Sequence, residues 1–267
     1  MTRARPRPRL PSVLDTPITR REALRRTTLG AIAIAAGGCV RPTSVEGVGT
    51  GRLTARVVAP TTTTTPGTYP IGLTSGRDGL LYVPTSYNPD TAAPIALLLH
   101  GAGGQASELV TPMRPFADAT GLVLLAPDSR GITWDGIDDY LVDDVEYIDR
   151  ALESAFARIR VDASRVRIIG FSDGATYSLS LGIINGDLFS RVVAFSPGYI
   201  VKRTATGKPK FFITHGTRDA VLPIGQTSRR IVSDLRASGY DVEYIEFDGG
   251  HTVTAPLMEQ AVTWAAS

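Results

Sequence analysis

Short runs dense in Val, Ile and Leu recur along this chain, separated by stretches in which apolar residues return every three or four positions. The runs predict strands at 52–58, 79–83, 95–99, 122–126, 166–169, 192–194, 211–214 and 242–247. Their apolar content suits strands buried on both faces. The helical spacing predicts helices at 141–159, 175–185, 225–238 and 255–265. Such alternation predicts an α/β fold, a mainly parallel sheet with helices on both faces and its chemistry at the C-terminal ends of the strands. The threonine run 61–65 reads as a loop between early strands.

One strand end carries a distinctive turn. The apolar run closes in Gly170-Phe171-Ser172-Asp173-Gly174, and a helical pattern starts at once. This is a G-x-S-x-G nucleophile elbow in strand–turn–helix context. The two glycines answer a steric demand, because lifting a hydroxyl above a sheet edge forces strained backbone and close strand–helix packing. A serine hydroxyl is a poor nucleophile near neutral pH and needs a base beside it. In elbow hydrolases the acid and then the histidine follow the serine along the chain. The chain has three histidines. His100 precedes the serine, and His215 stands at a strand end with no strand-then-acid segment before it. His251 follows the last strand in Phe247-Asp248-Gly249-Gly250-His251 and is the expected base.

The acid should follow the preceding strand, where His215-Gly216-Thr217-Arg218-Asp219 lies. Asp248 is too close to His251 in sequence to orient that ring from behind, and Asp187 follows a helix, so Asp219 is the expected acid. Two oxyanion donors are expected: the N–H of Asp173, directly after the serine, and an N–H from the glycine-rich turn His100-Gly101-Ala102-Gly103-Gly104. Ala102 is the first choice there and Gly103 the second. That turn has no phosphate-loop pattern.

The N-terminal region reads as an address. Arg20-Arg21 precedes a short apolar run, 29–36, too brief for a bilayer span of about 20 residues. Small residues then lead to Cys39, the chain's single cysteine. Residues 1–39 therefore read as an export signal with twin-arginine and lipobox-like features, with Cys39 the expected lipidation site and residues 40–51 a tether. The expected location is the cell envelope as a lipoprotein, or outside the cell, with membrane contact only through that lipid. Residues 52–267 suffice for one α/β domain. The net charge of +2 comes mostly from arginines before Cys39, so a nucleic-acid partner is unsupported. Asp135, Asp138 and Asp139 cluster without His or Cys, which suggests a solvated helix start and no metal.

From about Gly79 onward the chain resembles α/β-hydrolases of the phospholipase/carboxylesterase and dienelactone-hydrolase-like group. The resemblance rests on Leu99-His100-Gly101-Ala102-Gly103-Gly104, Ala126-Pro127-Asp128-Ser129-Arg130-Gly131 with Trp134-Asp135, Gly170-Phe171-Ser172-Asp173-Gly174, His215-Gly216-Thr217-Arg218-Asp219 with Leu222-Pro223, and Phe247-Asp248-Gly249-Gly250-His251. It implies an α/β-hydrolase fold, Ser172, Asp219 and His251 as triad, Ala102 as an oxyanion donor, and carboxylic-ester hydrolysis without a cofactor. Asp173 departs from the glutamine frequent in the esterase branch, which would disfavour anionic substrates. Between Ser196-Pro197-Gly198 and the next strand the chain is too short for a helical lid. An open site with Trp134, Phe171 and Tyr199 as apolar walls is therefore expected. The expected partner is a small-molecule or polymeric ester: short-chain or aryl esters, polyesters or acylated sugars. A serine peptidase or amidase of the same fold, and a catalytically silent surface-binding lipoprotein, are the alternatives.

Overall fold

A computed structural model describes residues 49–267. Eight strands form one sheet: β1 Gly67–Pro70, β2 Gly79–Val83, β3 Ala93–Leu99, β4 Val123–Pro127, β5 Val161–Phe171, β6 Arg191–Phe195, β7 Lys210–Gly216 and β8 Val242–Phe247. Their spatial order is β1-β2-β4-β3-β5-β6-β7-β8. The β1–β2 and β2–β4 pairs are antiparallel, and all pairs from β4 to β8 are parallel. The connecting helices are α1 Ser107–Thr120, α2 Asp143–Arg158, α3 Asp173–Ile184, α4 Ser228–Ala237 and α5 Ala255–Ala266.

The central strands β3 and β4 are buried at every position, which explains their unbroken apolar character. Alternate side chains feed two separate cores. Ile95, Leu97, Ile168, Phe211 and Ile213 pack on one face with α2, α3 and α4. Leu98, Leu124, Ile169, Phe195 and Phe212 pack on the other with α1 and α5.

Two expectations are corrected. The segment 52–58 is not a strand. Its alternation is real, with Leu53 and Ala55 buried, but it packs on helices and pairs with no strand. Asp149 of α2 accepts from the Thr54 and Ala55 amides at 2.8 and 2.7 Å, and Asn185 Oδ1 accepts from Leu53 N–H at 2.9 Å. Side-chain acceptors thus replace a sheet ladder. The first strand is instead β1, directly after the threonine run. The other correction is α1, where no helix was expected. Pro112 and Pro115 interrupt its pattern, yet Leu109, Val110, Met113 and Ala117 still form one buried face. Gly121, with φ 71°, closes the helix in the left-handed region that glycine tolerates.

Candidate active site

Four parallel strands end at one edge of the sheet, and each delivers a segment to the same place: the 100–104 turn after β3, Ser172 after β5, Asp219 after β7 and His251 after β8. Ser172 has φ 56° and ψ −118°, a strained conformation for a non-glycine residue that costs about 1–3 kcal/mol. It is held by its N–H donating to Phe195 O at 2.9 Å, while its carbonyl accepts from Ala175 and Thr176 N–H, both at 3.0 Å. A Cβ on Gly170 would lie 2.1 Å from Gly174 O, and one on Gly174 would lie 2.0 Å from Leu99 O. Both glycines are therefore required by packing.

His251 stands between the serine and the acid. Its Nε2 is 2.8 Å from Ser172 Oγ and its Nδ1 is 2.6 Å from Asp219 Oδ2. The carboxylate accepts only, so Nδ1 carries the proton and Nε2 faces the serine hydroxyl as an acceptor. The second carboxylate oxygen, Oδ1, accepts from Val221 and Leu222 N–H at 2.9 and 2.8 Å. Burial alone would raise the Asp219 pKa. Contacts to His215 and His251, the His251 charge and the Leu222 amide outweigh it and hold the group well below the usual carboxylate range. Asp248 turns to the surface instead, where it pairs with Arg218 Nε at 3.0 Å.

The 100–104 turn lies against the elbow, since a Cβ on Gly101 would be 3.5 Å from Ser172 Cβ. Gly103 N–H is committed to Ile132 O at 2.7 Å. Among the described residues neither Ala102 N–H nor Asp173 N–H has an acceptor. Those two amides, at a turn and at the first position of α3, are left as free donors beside Ser172. The Asp173 carboxyl accepts from Thr133 Oγ1 at 2.7 Å. Burial pushes its pKa up, while the Thr133 hydrogen bond and the His251 charge oppose that shift.

Of the three expected walls, Phe171 and Tyr199 reach the surface and Trp134 does not. Phe171 is partly exposed, with its ring centroid 5.0 Å from that of His251. Tyr199 is 43% exposed, and its hydroxyl donates to Ile137 O at 2.6 Å. Trp134 is fully buried. Its indole N–H donates to His100 O at 2.8 Å, and its ring stacks on Tyr177, so it braces the 100–104 turn from beneath and is closed off from the surface. From Tyr199 an open groove of about 580 Å³ runs between residues 198–208 and α4, with Ile231 and Leu235 in its floor and Lys202 and Arg230 on its rim. No helix lies between β6 and β7. Cys39 lies outside the described residues.

The acidic cluster is also reassigned in part. Asp135 is not a solvated helix-start residue: it accepts from Tyr177 O–H at 2.8 Å and from the Val142 and Asp144 amides. Asp144, fully buried, accepts from Arg130 and Asp135 N–H at 2.6 and 2.7 Å. Together the two aspartates shape the loop that carries Thr133. His215, set aside as a base, proves to be a fully buried neighbour of Asp219. Its only sequence signal was the i, i+4 spacing to that acid. Thr133 had none.

The comparisons agree with this architecture. Residues 133–265 match the Phospholipase/Carboxylesterase family. Feruloyl esterase C of Emericella nidulans is 26% identical over 216 residues, covering 68% of this chain and 78% of that protein. Esterase PE8 superposes with a TM-score of 0.58 at 20% identity, over 70% of this chain and 96% of that one. A ferulic acid esterase of Anaeromyces mucronatus, solved with ferulic acid, superposes at 0.57 with 17% identity, over 72% and 86% of the two chains. The chain has the α/β-hydrolase fold. Over residues 133–265 the chain is similar to the phospholipase/carboxylesterase group.

Proposed function

We propose that this α/β-hydrolase cleaves carboxylic esters through a serine acyl-enzyme. The observation that carries this reading is His251 bridging Ser172 Oγ at 2.8 Å and Asp219 Oδ2 at 2.6 Å. As Ser172 Oγ attacks the ester carbonyl, His251 Nε2 takes its proton, and Asp219 stabilises the imidazolium without becoming protonated. The carbonyl oxygen, now anionic, receives the Ala102 and Asp173 N–H groups, each such donor contributing about 3 kcal/mol to barrier lowering. His251 returns the proton to the leaving alcohol. Water, deprotonated by the same nitrogen, then attacks the acyl-enzyme and releases the acid. Every step moves one proton through one ring, so the chemistry asks for no cofactor.

The feruloyl esterase relative supports aryl esters as the substrate class, with short-chain, polymeric and sugar esters as the neighbouring possibilities. Phe171 and Tyr199 offer flat walls for an aromatic acyl or alcohol group. The groove leading away from Tyr199 offers room for an extended chain. The test is a panel of aryl and alkyl esters of graded length beside aminoacyl anilides, with Ser172→Ala as control. Ester turnover and fluorophosphonate labelling in the parent, both lost in the variant, are expected. Faster anilide cleavage would make it an amidase, and absence of both reactions would leave a binding protein. Export and lipid attachment at Cys39 form part of the same reading, supported by the sequence pattern alone.

A further inference from the structure

A triad needs one histidine beside Asp219, and the structure brings two. His215 ends β7 and is fully buried. Its Nδ1 is 2.6 Å from Ser228 Oγ at the start of α4. Its Nε2 is 2.8 Å from Leu222 O and 3.1 Å from Asp219 Oδ2, the same oxygen that His251 contacts. Leu222 O can only accept, so Nε2 carries the ring proton. In the neutral ring Nδ1 is then an acceptor, and Ser228 O–H donates to it. That hydroxyl fixes the tautomer that presents an N–H edge to the acid.

We infer that His215 is a positioning residue that holds Asp219 in line with His251, and that Ser228 locks the tautomer His215 needs for it. The ring ties together three points of one loop. It faces Asp219 directly, it anchors Leu222 O while Leu222 N–H donates to Asp219 Oδ1 at 2.8 Å, and it meets the first residue of α4. Without it, Oδ2 loses the positive edge opposite His251 and the 219–222 turn loses its attachment to the sheet. The carboxylate is then free to rotate away from Nδ1 of His251. The ring is neutral, so its N–H edge acts on Oδ2 as a dipole. Glu246, its register partner on β8, is neutralised by a bidentate contact to Arg229 at 2.8 and 2.7 Å.

This inference rests on the proposed triad, so its test includes a readout independent of turnover. His215→Gln places an amide N–H where Nε2 stands, whereas His215→Asn reaches only as far as Nδ1, and both are polar residues of smaller volume. In proton and nitrogen NMR of the parent, His215 should show the Nε2-protonated tautomer. His251 should show a low-field Nδ1 proton bound to Asp219. That proton should persist in His215→Gln and move upfield or vanish in His215→Asn. With an ester substrate, kcat should fall about tenfold in the asparagine variant, with KM nearly unchanged, and recover to within about threefold in the glutamine variant. Ser228→Ala should give a partial loss of the same kind. Equal effects of glutamine and asparagine, an unmoved His251 proton, or losses that only follow lowered thermal midpoints would overturn the inference. Absence of esterase activity in the parent would refute the function, while the NMR comparison would still decide the role of His215.

Discussion

Asp219 gathers donors on both oxygens, and the consequence of changing any one depends on which oxygen it serves. Asp219→Asn should cost about 10⁴-fold in kcat, because an amide nitrogen opposite Nδ1 stabilises the wrong imidazole tautomer. His251→Ala should cost more, about 10⁶-fold, because the base itself is gone. In the double variant the loss should be close to that of His251→Ala alone, since the pair acts as a unit. Steady-state kinetics on an activated ester measure this, and losses that multiply would show that the two side chains work separately. Gly174→Ala belongs to the same scale. Its Cβ would lie 2.0 Å from a strand carbonyl, so the elbow must move. A destabilisation of about 3 kcal/mol in urea unfolding, with loss of serine labelling, is expected.

Among the elements, the loop before α2 depends on the charge of a buried acid. Burial pushes Asp144 up to about 6, against the Arg130 and Asp135 amides that lower it. A raised carboxyl pKa means that the folded state holds a proton more tightly than the unfolded chain. As pH falls from about 6 toward 4 the contribution of Asp144 to stability therefore rises, by at most about 3 kcal/mol. Asp219 and Asp187 act in the opposite sense below pH 4, because their folded pKa values are depressed and acid removes the stability they confer. Urea midpoints from pH 7 to 4.5 should rise in the parent relative to Asp144→Asn, and parallel curves would refute the assignment. The N-terminal segment has a different dependence. Asp149→Ala removes the acceptor for the Thr54 and Ala55 amides and the Thr54 hydroxyl, so it should cost about 1–3 kcal/mol. Limited proteolysis should then cut between residues 50 and 66 before the domain unfolds.

For the molecule as a whole, the proposed address lies outside the described residues 49–267 and can be tested apart from the hydrolase reading. Among the described residues no helix is long and apolar enough to cross a membrane. The proposed attachment is lipid at Cys39, each buried CH₂ contributing roughly 0.8 kcal/mol, with more than one chain needed for a stable hold. Mass spectrometry should find the mature protein starting at a lipidated Cys39. Cys39→Ala should leave it uncleaved or released, and Arg20→Lys with Arg21→Lys should retain it in the cytoplasm. An unmodified N-terminus elsewhere would refute lipidation and leave the hydrolase reading intact.

Sequence by itself determined what depends on local chemistry. Apolar runs marked the strands from 79 onward, most clearly β3 and β4, which are buried on both faces at every position. Gly170 and Gly174 marked the elbow, because backbone atoms stand where a Cβ would be. The order of serine, acid and histidine along the chain then narrowed the candidate site to Ser172, Asp219 and His251. Tertiary structure decided what depends on partners distant in sequence. The alternation at 52–58 did not reveal that Asp149 and Asn185, about 95 and 132 residues away, would replace a sheet ladder. Pro112 and Pro115 concealed a helix that exists because its apolar face has a sheet to cover. Trp134 looked like a wall because it is large and near the right strand, yet only packing could assign it to the underside of the 100–104 turn. Gly103 N–H is taken because it donates to Ile132 O, and Ala102 N–H is left without an acceptor among the described residues. Composition and spacing set which groups can donate and accept, and only the folded chain decides which of them are already taken.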